Sequence, residues 1–323
     1  MTGDKKMAKP IDVVALGELL IDFTPLKSDE GKACYERNPG GAPANVLVML
    51  SRLGKRAAII SKVGDDGFGH FLKETVENAG VDVSGLIESP RFNTSLAFVT
   101  LDSSGDRSFD FVRRNGADVM LSQQELSLEL IDACRVFHFG SVSMTGEPSR
   151  SATLAAAEYA KTRGKIISYD PNYRPLLWSS EAEAVEVMRN VLRLADVVKV
   201  SAEELDLLTG AEDPEEGAGA LLEAGARFAF VTMGEQGCCY AARNGEHGRV
   251  PGYKVQTVDT TGAGDTFCAC VLSGLLDCGF SPKQGELERI VDFANAAAAL
   301  STTKRGAISA MPCIQEINNL IRK

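Results

Sequence analysis

The segment of the chain with the most chemical potential runs Val258-Asp259-Thr260-Thr261-Gly262-Ala263-Gly264-Asp265-Thr266-Phe267. Phe267, Cys270, Val271 and Leu275 follow at helical spacing, so a loop of small residues opens directly into an amphipathic helix. A helix start of this kind presents unpaired amides and the positive end of a dipole, which suits an anion. Gly262 and Gly264 let the backbone approach that anion without a Cβ in the way. Asp265 is the unexpected member, because a carboxylate beside an anion repels it. Two readings fit: Asp265 caps the helix, or it accepts the proton of a hydroxyl that attacks a phosphoryl group. The loop has no Gly-x-x-x-x-Gly-Lys-Ser/Thr pattern, and Phe267 stands where a dinucleotide fingerprint needs its third glycine.

Elements able to position such a loop are written along the chain. Short runs rich in Val, Ile and Phe fall at Ile11–Leu16, Ala57–Val63, Arg135–Phe139, Ile166–Tyr169, Val197–Val200 and Phe228–Thr232. Helical patterns lie between or beside them, at Ala42–Leu53, Gly67–Ala79, Ser149–Thr162, Glu181–Leu194, Glu203–Thr209 and Gly217–Ala224. Strand and helix in alternation predict a mostly parallel sheet covered on both faces. Leu20–Asn38 reads as extended, and Thr94–Asp102 with Arg107–Arg113 reads as a hairpin turning at Ser103-Ser104-Gly105. These pieces predict a small side sheet over one edge of the main layer. Asn244-Gly245 predicts a second hairpin, between Cys238–Arg243 and Arg249–Tyr253.

The charge balance is 34 basic against 44 acidic residues, a net −10, with no basic block, which speaks against a nucleic-acid groove or an anionic membrane surface. No apolar run approaches the roughly 18 residues of a transmembrane helix. Residues 1–10 read as a tail without the apolar stretch of a signal peptide. The eight cysteines include no Cys-x-x-Cys pair and only three histidines accompany them, so we expect reduced thiols in the cytoplasm and no zinc centre.

Asp259 to Phe267 resembles the C-terminal signature of the ribokinase-like (PfkB) carbohydrate kinases. Asn38-Pro39-Gly40-Gly41-Ala42-Pro43-Ala44-Asn45, followed by Leu53-Gly54, resembles their N-terminal signature. Within the family the chain is most similar to fructokinases, through Gly17-Glu18-Leu19-Leu20-Ile21-Asp22-Phe23, Ser168-Tyr169-Asp170-Pro171-Asn172-Tyr173-Arg174 and Lys304-Arg305-Gly306-Ala307-Ile308. The resemblance implies a three-layer α/β/α fold with a central, mostly parallel sheet and a small β lid. It implies one kinase domain over 11–313, with lid segments at about 20–38 and 94–115 and a helix end at 314–323.

It also implies roles. Asp265 is the base, and the amides of Gly262, Ala263 and Gly264 hold the anion. Asp22, Gly40, Gly41, Asn45, Arg113 and Arg174 bind the sugar. Lys199, Ser201, Glu204, Thr232, Gly234, Gly237 and Asn295 lie on the ATP side, Glu204 reaching Mg²⁺ through water. Ser201 and Glu204 equally fit a capping box. A monovalent cation, potassium, is implied at Asp259, Thr261, Ser301, Lys304 and Gly306, mostly through carbonyls. The expected reaction is phosphoryl transfer from ATP to a sugar, with fructose first. A sugar acid such as 2-keto-3-deoxygluconate is the alternative acceptor, and a sugar-binding protein without catalysis is the alternative class. An apolar lid implies a homodimer, with Phe98, Phe109 and Phe111 as candidate contacts.

Overall fold

A computed structural model describes residues 10–26, 32–101 and 107–322. The expected turn at Ser103-Ser104-Gly105, the side chain of Phe109 and residues 1–9 of the expected tail lie outside the described residues. In chain order the strands are β1 (Ile11–Leu16), β2 (Leu20–Leu26), β3 (Cys34–Gly40), β4 (Ala57–Gly64), β5 (Asp82–Ser89), β6 (Leu96–Leu101), β7 (Arg107–Val112), β8 (Cys134–Gly140), β9 (Ile166–Asp170), β10 (Val197–Ser201), β11 (Phe228–Thr232), β12 (Cys238–Ala242) and β13 (His247–Val250). Nine of them form one sheet in the order β13-β12-β11-β10-β9-β8-β1-β4-β5. It is parallel from β11 to β5, and the β12–β13 hairpin closes the other edge antiparallel.

Period-two alternation gives this sheet two apolar faces. Val13 and Ala15 of β1 enter one core, and Val14 and Leu16 enter the other. The first core is closed by α1 (Ala42–Arg52), α2 (Gly67–Asn78), α8 (Ala263–Asp277), α9 (Glu286–Ser301) and α10 (Ile314–Ile321). The second is closed by α3 (Leu128–Ala133), α4 (Ser149–Thr162), α5 (Glu181–Leu192), α6 (Ala202–Thr209) and α7 (Pro214–Glu223). The result is the expected three-layer architecture.

The four remaining strands form a separate sheet, β3-β2-β6-β7. β2 pairs antiparallel with β3 and parallel with β6, which pairs antiparallel with β7. Phe23 and Phe98 stack at 4.9 Å beneath it, and Phe23 meets Phe68 of α2 edge-on at 5.8 Å. Aromatic contact therefore pins this lid to the main body. β5 and α3 were not expected from the sequence. β5 carries Asp82, Ser84 and Glu88, which an edge strand with one open side tolerates.

Candidate active site

The site gathers at the carboxyl ends of the parallel strands, the customary ligand crevice of an open α/β sheet. Gly262 is the N-cap of α8 at φ 77°, and a Cβ there would stand 2.7 Å from the Cβ of Ala307. The expected nest residues Gly262, Ala263 and Gly264 stand together at the head of α8, with the Ala263 amide donating back to the Thr260 carbonyl at 3.2 Å. Asp265 is not the cap. It lies inside the first turn, 7% exposed, and accepts from Asn45 Nδ2 at 2.8 Å and from Asn172 Nδ2 at 3.3 Å. Burial, with Asp170 nearby, pushes its carboxyl up to about 6, against the Asn45 bond and the charges of Lys199 and Arg174.

A pocket opens above this carboxylate, lined among others by Glu18, Asp22, Gly41, Asn45, Phe111, Asn172, Arg174 and Thr261. Gly40 is a glycine because a Cβ would collide with Asp22 Oδ2; Gly41, at φ 114°, would drive one into the Glu18 carbonyl. Burial raises Asp22 to about 7, opposed by Arg174 and reinforced by Asp265 and Asp259. Arg174 is exposed on the pocket rim, with Nη1 donating to the Tyr173 carbonyl at 3.1 Å. Arg113 stands elsewhere. Its buried guanidinium donates to Asp118 at 2.7 Å, Thr145 Oγ1 at 2.7 Å and the Val142 carbonyl at 3.0 Å, bracing the pocket wall from behind.

On the nucleotide side the capping box is real. Glu204 accepts from the Ser201 amide at 2.8 Å and, with its other oxygen, from the Tyr173 amide. Lys199 is buried against Asp170 at 3.1 Å. Thr232 ends β11 and donates to the Val200 carbonyl at 3.2 Å; Gly234 follows at φ 57°. Gly237 is a packing glycine, since a Cβ would overlap the Val250 carbonyl. Asn295 is buried in α9 and donates to the carbonyls of Val250 and Pro251, both at 3.1 Å, so its amide fixes that turn.

The residues expected around a monovalent cation fall on two loops that meet. Val258 and Asp259 donate to the Thr302 carbonyl at 2.8 and 3.0 Å, and Asp259 accepts from the amides of Thr261 at 2.9 Å and Gly306 at 3.1 Å. Ser301 is buried at the end of α9, with Oγ donating to the Ala298 carbonyl at 2.8 Å. The Lys304 ammonium points outward to Glu316 at 3.5 Å, which leaves its carbonyl as the only group suited to a cation.

The description "pfkB family carbohydrate kinase" matches residues 10–313. The chain belongs to that family. It is 44% identical over 316 residues to Fructokinase-1 of Zea mays, covering 96% of this chain and 98% of the relative. A fructokinase from Xylella fastidiosa solved with bound ATP superposes with a TM-score of 0.87 at 32% identity, covering 96% of this chain and 98% of that one. A double mutant of the Vibrio cholerae O395 fructokinase, solved with fructose, ADP and potassium ion, gives 0.85 at 34% identity, covering 97% and 99%.

Two residues of this carbohydrate kinase pocket escaped the sequence reading of roles. Asn172 reaches Asp265 from φ 50°, a left-handed conformation that asparagine tolerates. Glu18 is buried, accepts from the Ala42 amide at 2.9 Å and is raised by burial to about 7, against the bond from its own backbone and the charge of Arg113. The signal for both lay in the quoted stretches, where each is a polar residue just past a strand's end.

Proposed function

We propose that this protein is a fructokinase, carrying the γ-phosphoryl group of ATP to D-fructose to give D-fructose 6-phosphate, within one catalytic unit over 11–313. The observation that carries this is Asp265: a buried carboxylate, gripped by Asn45 and Asn172, at the head of the α8 nest and open to a pocket lined by Asp22 and Gly41. The nest amides hold the transferring phosphoryl group, and Asp265 receives the hydroxyl proton as the new bond forms. Transfer of this kind depends on positioning and charge stabilisation more than on a strong base. Asp22 accepts from sugar hydroxyls, Gly40 and Gly41 let the ring lie on backbone, and Arg174 closes the rim. Lys199, Ser201, Thr232, Gly234, Gly237 and Asn295 shape the ATP side. Mg²⁺ keeps most of its waters; Glu204, its oxygens turned to two amides, holds such a water at most indirectly, and the ion when bound neutralises phosphate charge.

A pocket lined by Glu18, Asp22 and Asp265, with Arg174 as its cation and Arg113 already engaged by Asp118, favours a neutral polyol over a sugar acid, whose carboxylate would meet carboxyl groups. A panel of sugars and sugar acids with ATP, read by coupled ADP release, tests the assignment. Fructose is expected to give the highest kcat/KM. A preference for 2-keto-3-deoxygluconate would overturn the substrate, and fructose binding without ADP release would leave a binding protein.

Three further readings belong to this proposal. Potassium sits where the 259–261 loop meets Gly306; equal rates in potassium and in choline buffer would remove it. The lid pairs two copies into a homodimer. Phe98 is stacked on Phe23 and Phe111 lines the pocket, whereas Leu26, Tyr35 and Val112 are exposed among the described lid residues and are apolar groups available for that contact. A monomer mass in ultracentrifugation would refute it. The compartment is the cytoplasm, in keeping with eight free thiols; export of the full-length protein in fractionated cells would refute that.

A further inference from the structure

The sheet brings a second charged pair to the same edge. β9 and β10 pair with Tyr169 opposite Val198, which sets the next residues, Asp170 and Lys199, side by side. Lys199 Nζ lies 3.1 Å from Asp170 Oδ2 and 3.3 Å from Oδ1, and the two residues are 8% and 2% exposed. The same ammonium lies against the first turn of α8, where a Cβ on Gly264 would stand 2.9 Å from Nζ and 3.7 Å from Cε. Glycine at this position therefore lets a charge come up directly behind the nest.

Around this one ammonium converge three buried carboxylates, Asp170, Glu204 and Asp265. Burial alone would push the lysine toward its neutral form, but these three outweigh it and hold it charged. The hydrogen bonds of Glu204 and Asp265 come from neutral amides, which do not cancel their charge. Charges interact far more strongly here than in water. Without the ammonium, the place meant for a phosphoryl anion would have three carboxylates around it and, among the described residues, only the exposed rim cation Arg174 to offset them.

We propose that the Lys199–Asp170 pair is a built-in counter-charge for the anion nest: Lys199 stands behind Gly264 as the fixed cation that lets a phosphoryl group settle among three carboxylates, and Asp170 keeps the ammonium there. The inference rests on the kinase reading above. Both are positioning residues, because Lys199 acts through the Gly264 backbone and does not need to touch phosphate.

Removing one member strands the other charge in the core and destabilises the fold, so single variants mix stability with function. The test is the double variant Lys199→Met with Asp170→Asn, which removes both charges at similar volume, compared with wild type by melting temperature, coupled ADP release and calorimetric affinity for ATP. The expected result is an intact fold, a kcat lower by about 10²-fold, weaker ATP binding and an unchanged KM for fructose. A double variant that keeps wild-type kcat and ATP affinity overturns the inference and leaves the pair a fold element. Should the double variant fail to fold, Asp170→Asn, which leaves Lys199 charged beside Glu204 and Asp265, is assayed well below its own melting temperature so that stability and function separate: kcat is expected to fall about tenfold at constant fructose KM, and an unchanged kcat overturns the role. Wild-type protein that releases no ADP with any sugar sinks the kinase reading itself, an outcome distinct from both.

Discussion

Asn45 Nδ2 and Asp265 Oδ2 are hydrogen-bonded at 2.8 Å across 220 residues of sequence. The bond joins α1, whose N-cap is Gly41, to α8, whose N-cap is Gly262, and so ties the two helix starts that flank the pocket. The other end of the same amide, Asn45 Oδ1, is buried without a partner among the described residues. Such an atom is costly unless something donates to it, and a second hydroxyl of a bound polyol, next to the one facing Asp265, is suited to do so.

Asp265→Asn keeps the size of the side chain and removes the proton acceptor. We expect kcat to fall by about 10²–10⁴, with the melting temperature equal to or above that of wild type. Near wild-type turnover in the coupled assay would take Asp265 out of the mechanism.

To take the proton in the proposed reaction Asp265 must be ionised, and burial raises its carboxyl to about 6. The kcat/KM for fructose should therefore be flat above neutral pH and fall tenfold per unit as pH drops below about 6. An acid limb below pH 4.5 would mean that the carboxylate is not desolvated in the working enzyme.

Glu18 rises on folding from 4.5 to about 7, chiefly through burial. A carboxyl raised in this way contributes stability that is full below its unfolded value and is lost as pH climbs through the folded one. Glu18→Gln keeps an acceptor for the Ala42 amide and removes the ionisation. The variant should melt above wild type at pH 8, by a margin on the order of 3 kcal/mol, and the gap should close near pH 4.5. Thermal unfolding at the two pH values checks the sign; a variant less stable at pH 8 contradicts it.

Gly40→Ala places a methyl group against the Asp22 carboxylate. Displacing that group should lower kcat/KM for fructose by ~10- to 100-fold, while KM for ATP stays the same. Equal losses for both substrates would point to general unfolding of the lid.

The alternation of β-rich and helical runs made the main layer legible, because β1 and its neighbours are buried on both faces and their composition says so. β5 was not legible: at the sheet edge its polar residues look like loop. In the site, the small-residue loop leading into α8 could be read from Gly262 and Gly264, because loop and helix are adjacent in sequence. What could not be read was direction. Arg113 and Arg174 are alike as letters, yet one turns inward to Asp118 and the other outward to the rim. Asn172 depends on a backbone angle, and Glu18 on a helix that starts 24 residues later.

β3 ends at Gly40 and α1 begins at Ala42, so Gly41 alone links the lid to the helix that carries Asn45. Gly41 sits there at φ 114° with no room for a Cβ beside the Glu18 carbonyl, so the placement of the four-stranded sheet and that of Asn45 are set together through one residue.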